Sequence, residues 1–409
     1  MRSLNIGLLA VAAAAACAPR SPGGTNAGAG RDAIVLLVSI DGLRFDYIDR
    51  EPAPNLKRLA SRGVRARWME PSFPTQTFPN HYTIVTGLRP ARSGMVNNTF
   101  YDPRLGRFRY TDTAAASRPG FWQGEPIWVT AARQGRRTAA FFWPGSDVEI
   151  GGVRPERWKR YDGDVPNADR VDSVLSWLAL PAGERPSLVT LYFSDVDHYG
   201  HENGPDSPEL RAAVAHIDSV MGRLMDGLEA RGLDDVVNII VVSDHGMIPL
   251  SNDRVVRLDE YLDTLTVQQI NLGQFIALAP RDNDTSALMR RLRGVPHLHA
   301  YRADSTPERW HYRGNPRIAP VVGVMDAGWT LSTTGWLQRQ RRPLGGGHGF
   351  DPADSLIKAS FIAAGPAFPR GRVVAPFSNV HVYELLCLIL GLPPAPNDGS
   401  ADSVRALLR

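Results

Sequence analysis

Ala33-Ile34-Val35-Leu36-Leu37-Val38-Ser39-Ile40-Asp41-Gly42 decides how the rest of the chain is read. A continuous apolar run rich in β-branched residues is the mark of a strand buried on both faces of a parallel sheet. Asp41-Gly42 ends it. The pattern returns at Ser187–Ser194, which runs into Asp195-Val196-Asp197-His198-Tyr199-Gly200-His201, and at Val236–Ser243, which runs into Asp244-His245-Gly246. Further strands are expected at Val64–Met69, Arg137–Trp143 and Lys358–Ala364, and helices at Pro54–Ser61, Asp169–Leu180 and Val382–Leu390. Ser207-Pro208 opens a long helix with Leu210, Val214, Ile217, Met221, Leu224 and Leu228 on one face. Together these predict an α/β fold with a mostly parallel central sheet and helices on both faces. In open α/β sheets ligands bind beyond the carboxyl ends of the strands. Strand ends bearing Asp41, Asp195/Asp197 and Asp244 therefore describe a carboxylate-lined crevice.

A second stretch, Pro71-Ser72-Phe73-Pro74-Thr75-Gln76-Thr77-Phe78-Pro79-Asn80-His81-Tyr82, reads as a loop entering a helix, with Pro79 in the first turn and Gly87 at the stop. Thr77 falls at or next to the N-cap, where its hydroxyl meets free backbone N–H groups and the positive end of the helix dipole. A phosphate is attracted to the same place. Gly345-Gly346-Gly347-His348-Gly349-Phe350 is a glycine-rich loop that lets one histidine approach closely. Between these landmarks, residues from about 248 to 343 form short mixed segments with many Arg and Pro, read as an inserted subdomain packed on the main domain.

With 43% hydrophobic and 22% charged residues over 409 positions, the chain has an ordinary globular composition. The net charge of +4 comes from scattered arginines, without a compact basic run interleaved with aromatics. That argues against sequence-specific nucleic-acid binding, while a modest positive field favours anionic small molecules. Residues 1–17 read as a secretory signal peptide. Ala14-Ala15-Ala16-Cys17 is lipobox-like but lacks the usual Leu, so a membrane tether through lipidated Cys17 and simple cleavage both stay open. Residues 18–31 suit a flexible tether and 32–409 a catalytic domain. Past Cys17 only Cys387 remains, so no disulfide is expected within the domain, and Cys387 reads as a small core residue. Oligomeric state is left open.

Carboxylate, imidazole and hydroxyl are ligands that suit zinc and similar divalent ions. Asp197 and His201 are four apart, within reach of one metal on a loop or helical turn. Asp244 and His245 are adjacent and point apart unless the loop bends. Either pair alone is ordinarily structural. The full set of Asp41, Thr77, Asp197, His201, Asp244, His245 and His348 is about the inventory that two metals require, with positions left for substrate.

The order of motifs resembles the nucleotide pyrophosphatase/phosphodiesterase family of the alkaline phosphatase superfamily. The resemblance runs from Val38-Ser39-Ile40-Asp41-Gly42-Leu43-Arg44 and Thr77-Phe78-Pro79-Asn80-His81-Tyr82 through Gly124-Glu125-Pro126-Ile127-Trp128 and Phe142-Trp143-Pro144-Gly145-Ser146-Asp147. It continues through Ser243-Asp244-His245-Gly246-Met247 and Gly347-His348-Gly349-Phe350 to the helix carrying Cys387. It implies an alkaline-phosphatase-like fold and two Zn2+ ions, one on Asp197, His201 and His348, the other on Asp41, Asp244 and His245 with Thr77. It further implies that Thr77 attacks a phosphodiester in line, forming a threonyl-phosphodiester intermediate that water then releases as a nucleoside 5′-monophosphate. Asn98, with the backbone N–H of Phe78 beside it, would stabilise the non-bridging oxygen. Phe78 and Tyr161 match the aromatic pair that sandwiches the nucleobase, with Tyr192 and Trp143 as further pocket candidates. His81 and Asp195 read as structural, and His198 has no assigned role.

The disulfides and additional domains of animal members are missing, which suggests a bacterial single-domain form, exported to the periplasm or attached to the outer membrane as a lipoprotein. The expected activity is hydrolysis of nucleotide diesters or pyrophosphates. The alternative keeps the fold and metals but acts on choline or glycerol phosphodiesters of lipid type, or on monoesters. The Cys/Ser-x-Pro-x-Arg signature of sulfatases is missing.

Overall fold

The strand expected from the opening run spans Ile34–Ile40 and lies inside an eight-stranded sheet. The computed structural model describes residue 30 and residues 32–409, so the signal segment, Cys17 and all of the tether except Gly30 and Asp32 flanking it lie outside the described residues. The sheet order is Arg372–Val374, Gly63–Ala66, Phe361–Ala364, Val237–Val242, Ile34–Ile40, Leu188–Phe193, Thr138–Phe141 and Arg157–Lys159. Phe361–Ala364 pairs antiparallel with both neighbours, and every other pairing in this sheet is parallel.

The double-sided burial read from the sequence has a direct counterpart. Val35, Leu36, Leu37, Val38 and Ile40 have no exposed surface. Side chains alternate across a strand, and Leu36, Val38 and Ile40 pack with Leu56, Val174, Ile217 and Leu224 in one core. Val35 and Leu37 join Tyr82, Trp128, Leu386 and Ile389 in the other. Helices Pro54–Ser61, Asn167–Leu178 and Pro208–Glu229 thus cover one face, and Thr77–Thr86, Ile127–Arg133 and Val382–Leu390 the other. Ser207 caps the long helix by accepting from the Leu210 N–H. Cys387 is 1% exposed and unpaired, in the core position expected of it. No helix of the described residues is long and apolar enough to cross a membrane.

The stretch from about 248 to 343 contains a four-stranded antiparallel sheet, ordered Val267–Asn271, Phe275–Pro280, Val321–Met325 and Leu298–Arg302. Ring contacts and hydrogen bonds fasten it to the segments around Thr77 and Asn98. Trp310 stacks on Phe73 (ring centroids 3.9 Å, interplanar angle 9°), and the Tyr312 hydroxyl donates to Val96 O. Arg317, 3% exposed, reaches into the main domain. Its Nε donates to Asp102 Oδ2 at 2.6 Å, and its terminal nitrogens donate to the carbonyls of Gly94, Gly120 and Phe121. Asp102 ends the hairpin strand Thr99–Asp102 that follows Asn98, so this buried ion pair also sets where that hairpin sits.

Removing one partner of a buried, hydrogen-bonded pair leaves the other charge uncompensated. Arg317→Ala is therefore expected to lower unfolding stability by about 3–5 kcal/mol, measured by urea denaturation. A loss below about 1 kcal/mol would show that the pair does not fasten the subdomain.

Candidate active site

Strands Val237–Val242, Ile34–Ile40 and Leu188–Phe193 are neighbours and parallel, so their carboxyl ends open on one crevice. Asp41 follows the middle strand directly, and Asp244 and the Asp195–Asn203 helix follow the outer two. Gly42 lets these ends close up. It sits at φ +67°, and a Cβ there would lie 2.9 Å from Asp197 Cα. Its N–H also donates to Asp244 Oδ1 at 3.2 Å.

Asp197 and His201 lie one turn apart on the same helix, and His201 Nε2 is 3.4 Å from Asp197 Oδ1. His348 arrives from the glycine-rich loop, its Nε2 3.0 Å from His201 Nε2 and 3.7 Å from Asp197 Oδ1. On the other side His245 Nε2 is 3.0 Å from Asp244 Oδ2 and 3.5 Å from Asp41 Oδ1. The loop after Val242 therefore bends enough for the adjacent Asp244 and His245 to converge. The ligand atoms of Asp197, His245 and His348 lie within 4.8 Å of one another, as do those of Asp41, His81 and Asp244. The two halves are thus one continuous cluster.

The three histidines share one device. Nδ1 of His201, His245 and His348 lies 2.8–3.0 Å from the carbonyl oxygens of Gly346, Gly246 and Thr75 respectively. A carbonyl only accepts, so Nδ1 carries the proton and the Nε2 lone pair faces the cluster, the arrangement common to metal-ligating histidines. Two facing Nε2 atoms at 3.0 Å repel unless a cation or proton lies between them. The buried oxygens Asp41 Oδ1, Asp197 Oδ1 and Asp244 Oδ2 have no hydrogen-bond partner. Orphaned carboxylate oxygens beside unprotonated imidazole nitrogens are the donor set that a divalent cation fits.

Burial lowers the His245 pKa, but the adjacent Asp244 carboxylate raises it above the ordinary histidine value. Burial, then the charges of Asp244 and Asp197, raise the Asp41 carboxyl well above the usual range. Burial would also raise Asp244, but the imidazoles of His245 and His81 bring it below the ordinary value. Burial and the neighbouring His245 and His201 hold His348 well below an ordinary histidine, and therefore neutral.

Thr77 is the first residue of helix Thr77–Thr86, and Gln76 rather than Thr77 occupies the N-cap. No side chain caps this helix, so the Thr77 hydroxyl is not used there. It lies 3.5 Å from His245 Nε2. His81, one turn along, places Nδ1 2.9 Å from Thr77 O and Nε2 2.8 Å from the Ser39 hydroxyl. Both its nitrogens are occupied, so it braces the helix start instead of offering a lone pair to the cluster.

Asn98 accepts the Phe78 N–H through Oδ1 at 2.9 Å, while its Nδ2 donates to Gln76 Oε1 at 3.2 Å. The Phe78 N–H thus lies beside Asn98 and is bonded to its amide oxygen. That N–H orients the amide, and Nδ2 keeps a second hydrogen beyond the one it gives to Gln76. Gln76, absent from the sequence-based set, enters through this contact alone. Phe78 is half-buried, and Tyr161 is 55% exposed with its hydroxyl 3.3 Å from Ser194 Oγ.

The other two pocket candidates sit behind the cluster. Tyr192, 9% exposed, donates its hydroxyl to Asp41 Oδ2 at 2.6 Å. Trp143, 3% exposed, donates its indole N–H to His81 O. Their polar ends are occupied and their rings face core, so the structure gives them supporting positions in place of a pocket wall. Asp195 accepts from Asn167, and His198 is solvent-facing, 3.7 Å from Glu202.

Comparison with known proteins gives a consistent result. Residues 35–351 match the family model for type I phosphodiesterase / nucleotide pyrophosphatase. The chain is 39% identical over 390 residues to an uncharacterized pyrophosphatase/phosphodiesterase of Schizosaccharomyces pombe, covering 92% of this chain and 80% of that protein. It is 39% identical over 387 residues to ectonucleotide pyrophosphatase/phosphodiesterase family member 1 of Mus musculus, of which it spans 42%. The chain thus spans less than half the length of the mouse relative, and both relatives are eukaryotic. Its fold superposes on murine ectonucleotide pyrophosphatase/phosphodiesterase 5, solved in an inactive threonine-to-alanine form in complex with AMP. The TM-score is 0.87 at 34% identity, covering 92% of this chain and all of that one. With strand ends, histidine-bearing loops and threonine-led helix in this order, the chain belongs to the type I phosphodiesterase / nucleotide pyrophosphatase family and has its alkaline-phosphatase-like α/β fold.

Proposed function

We propose that this protein is an exported two-zinc phosphodiesterase that hydrolyses nucleotide diesters or pyrophosphates to nucleoside 5′-monophosphates, with Thr77 as nucleophile. One observation carries the reading: the Thr77 hydroxyl, not used as a helix cap, lies beside a buried cluster of orphaned carboxylate oxygens and imidazole Nε2 atoms that face into it. Asp197, His201 and His348 would hold one ion, and Asp41, Asp244 and His245 the other. When bound, the ions supply Lewis acidity and positive charge, which favour the ionised hydroxyl and the charge developing on the phosphoryl oxygens.

The chain's own groups do the rest. Thr77 Oγ attacks phosphorus in line as the leaving group departs, giving a threonyl phosphodiester, and water then cleaves the Thr77 Oγ–P bond. The start of helix Thr77–Thr86 adds backbone dipole beside Thr77. His81 holds the Thr77 carbonyl, which fixes the direction of the hydroxyl. Asn98 Nδ2, oriented by the Phe78 N–H, donates to a non-bridging oxygen. Phe78 and Tyr161 would stack on the base, and such stacking tolerates any base because each has a π-face.

The half-buried Phe78 ring and the exposed Tyr161 ring favour a nucleobase over an acyl chain. The inactive threonine-to-alanine form of the murine neighbour, bound to AMP, supports both the nucleophile and the nucleotide. The signal-like residues 1–17 support export, as do the names of ecto- and venom phosphodiesterases among the relatives.

Thr77→Ala is expected to lower kcat on a nucleoside 5′-monophosphate p-nitrophenyl ester by roughly a thousandfold or more, and Asn98→Ala by about a hundredfold or more. Undiminished turnover by the Thr77 variant would sink the mechanism. Chelation followed by dialysis should abolish activity and lower Tm, and added zinc should restore both, with elemental analysis approaching two zinc per chain. An apo-protein that neither melts earlier nor takes up zinc would exclude the metal assignment.

A further inference from the structure

A cleft of about 310 Å³ separates the hairpin of strands Thr99–Asp102 and Gly106–Arg109 from the subdomain. Phe100 and Val267, both buried, form its apolar lining, and Tyr101, Arg107, Thr264 and Arg281 its polar one. On the hairpin wall Tyr101 pairs with Arg107. The other wall is Val267–Asn271, an edge strand of the subdomain's sheet that packs beside Thr99–Asp102. Val267 pairs with Pro280, and the Arg281 N–H donates to Thr266 O at 3.0 Å, so Arg281 stands at the start of that edge strand. A strand advances about 3.3 Å per residue, which puts Tyr101 roughly 10 Å beyond Asn98. The cleft therefore neighbours the metal cluster without sharing a residue with it.

Exposed arginines elsewhere on the molecule find acids: Arg50 with Asp206, Arg58 with Asp226, Arg223 with Asp172 and Arg309 with Asp351. Those of the cleft do not. Among the described residues the guanidinium groups of Arg107 and Arg281 have no hydrogen bond or ion pair, and no carboxylate lines the cleft. The three acids adjacent in sequence to its polar residues are engaged elsewhere. Asp102 is bound to Arg317, Asp263 accepts the Leu265 N–H and Asp282 accepts the Asp284 N–H. Two positive charges thus stand uncompensated in a concave site with apolar lining, which focuses their field. Each wall contributes one guanidinium and one hydroxyl, from Arg107 and Tyr101 on one side and Arg281 and Thr264 on the other. Donors arriving from two sides suit a tetrahedral oxyanion better than a planar carboxylate.

We propose that this cleft is a second phosphate site, separate from the metal cluster, in which Arg107 and Arg281 hold one phosphate group from opposite walls. The phosphate belongs either to a free phosphate-bearing molecule or to the far end of a diester chain held at Thr77. The contact chemistry is the same in both. A phosphate bound there bridges the hairpin next to Asn98 and the edge of the subdomain. The site itself stands independently of the nucleotide reading above, and only the choice between the two sources draws on it.

The test is modification of the zinc-supplemented full chain by phenylglyoxal, which attacks free guanidinium groups, read residue by residue with peptide mass spectrometry. Inorganic phosphate at about ten times its Kd should slow modification of Arg107 and Arg281 about tenfold relative to chloride of equal ionic strength. Arg104 and Arg109, exposed on the same hairpin, should react as before. Arg281→Ala should raise the half-protecting concentration at Arg107 about fivefold or more, and should leave kcat/KM for bis(p-nitrophenyl) phosphate unchanged. The source is read in Thr77→Ala with thymidine dinucleotide and trinucleotide, which differ by one phosphate. Protection by inorganic phosphate assigns the site to free phosphate-bearing molecules. Protection by the trinucleotide alone assigns it to the far phosphate of a substrate. No protection by either, equal protection of Arg104 and Arg109, or protection of Arg107 that ignores Arg281→Ala overturns the inference. Breakdown of the trinucleotide by Thr77→Ala would overturn the mechanism proposed above, while the inorganic phosphate arm still decides the cleft.

Discussion

The convergence of buried carboxylates at the ends of three adjacent parallel strands is the constraint on which the site depends. Ligand atoms of Asp41 and Asp244 lie within 4.8 Å of one another, almost without solvent. Two like charges at that separation repel by about 3–4 kcal/mol even at an effective dielectric of 20. Ordinary hydrogen bonding offsets little of this, since one oxygen on each of Asp41, Asp197 and Asp244 is left without a donor. Positive charge supplied from outside the chain would resolve the conflict. The histidines, each with Nδ1 anchored on a backbone carbonyl and Nε2 turned to the cluster, offer nitrogens placed to ligate a cation.

Those anchors explain why elements distant in sequence must fold together. His201 is oriented by Gly346, His348 by Thr75, and Thr75 in turn donates to Phe350 O and accepts from the Gly349 N–H. The loop carrying His348 and the loop entering the Thr77 helix are thereby tied as one unit. The subdomain braces that unit from outside, through Trp310 on Phe73 and Arg317 on the hairpin next to Asn98. Tyr192 and Trp143 brace it from behind through Asp41 and His81. The nucleophile candidate and the phosphoryl-donor candidate are each held by backbone that a separate part of the chain supports.

The central sheet was legible because its strands are buried on both faces, which forces continuous apolar runs. The aspartates were legible because each directly follows such a run. The Pro54–Ser61 and Val382–Leu390 helices matched to the residue for a related reason: Pro at one start and Gly after the other's end are local signals. The four-stranded sheet near 267–325 was not. Its strands are short and their partners lie across the subdomain, so no local period announces them. The antiparallel direction of Phe361–Ala364 was hidden too, since a buried strand reads alike in either direction.

Sequence alone determined the inventory: which carboxylates end strands, which histidines stand in glycine-permitted loops, and which threonine opens a helix. These follow from residue type and nearest neighbours, the range over which burial and backbone preference act. Tertiary structure decided how that inventory is used. It turned Asp244 and His245 toward each other, assigned the Phe78 N–H to Asn98 and withdrew Tyr192 and Trp143 behind the cluster. Each of these depends on a hydrogen bond or ring contact that only packing of the folded chain creates, in most cases between residues far apart in sequence.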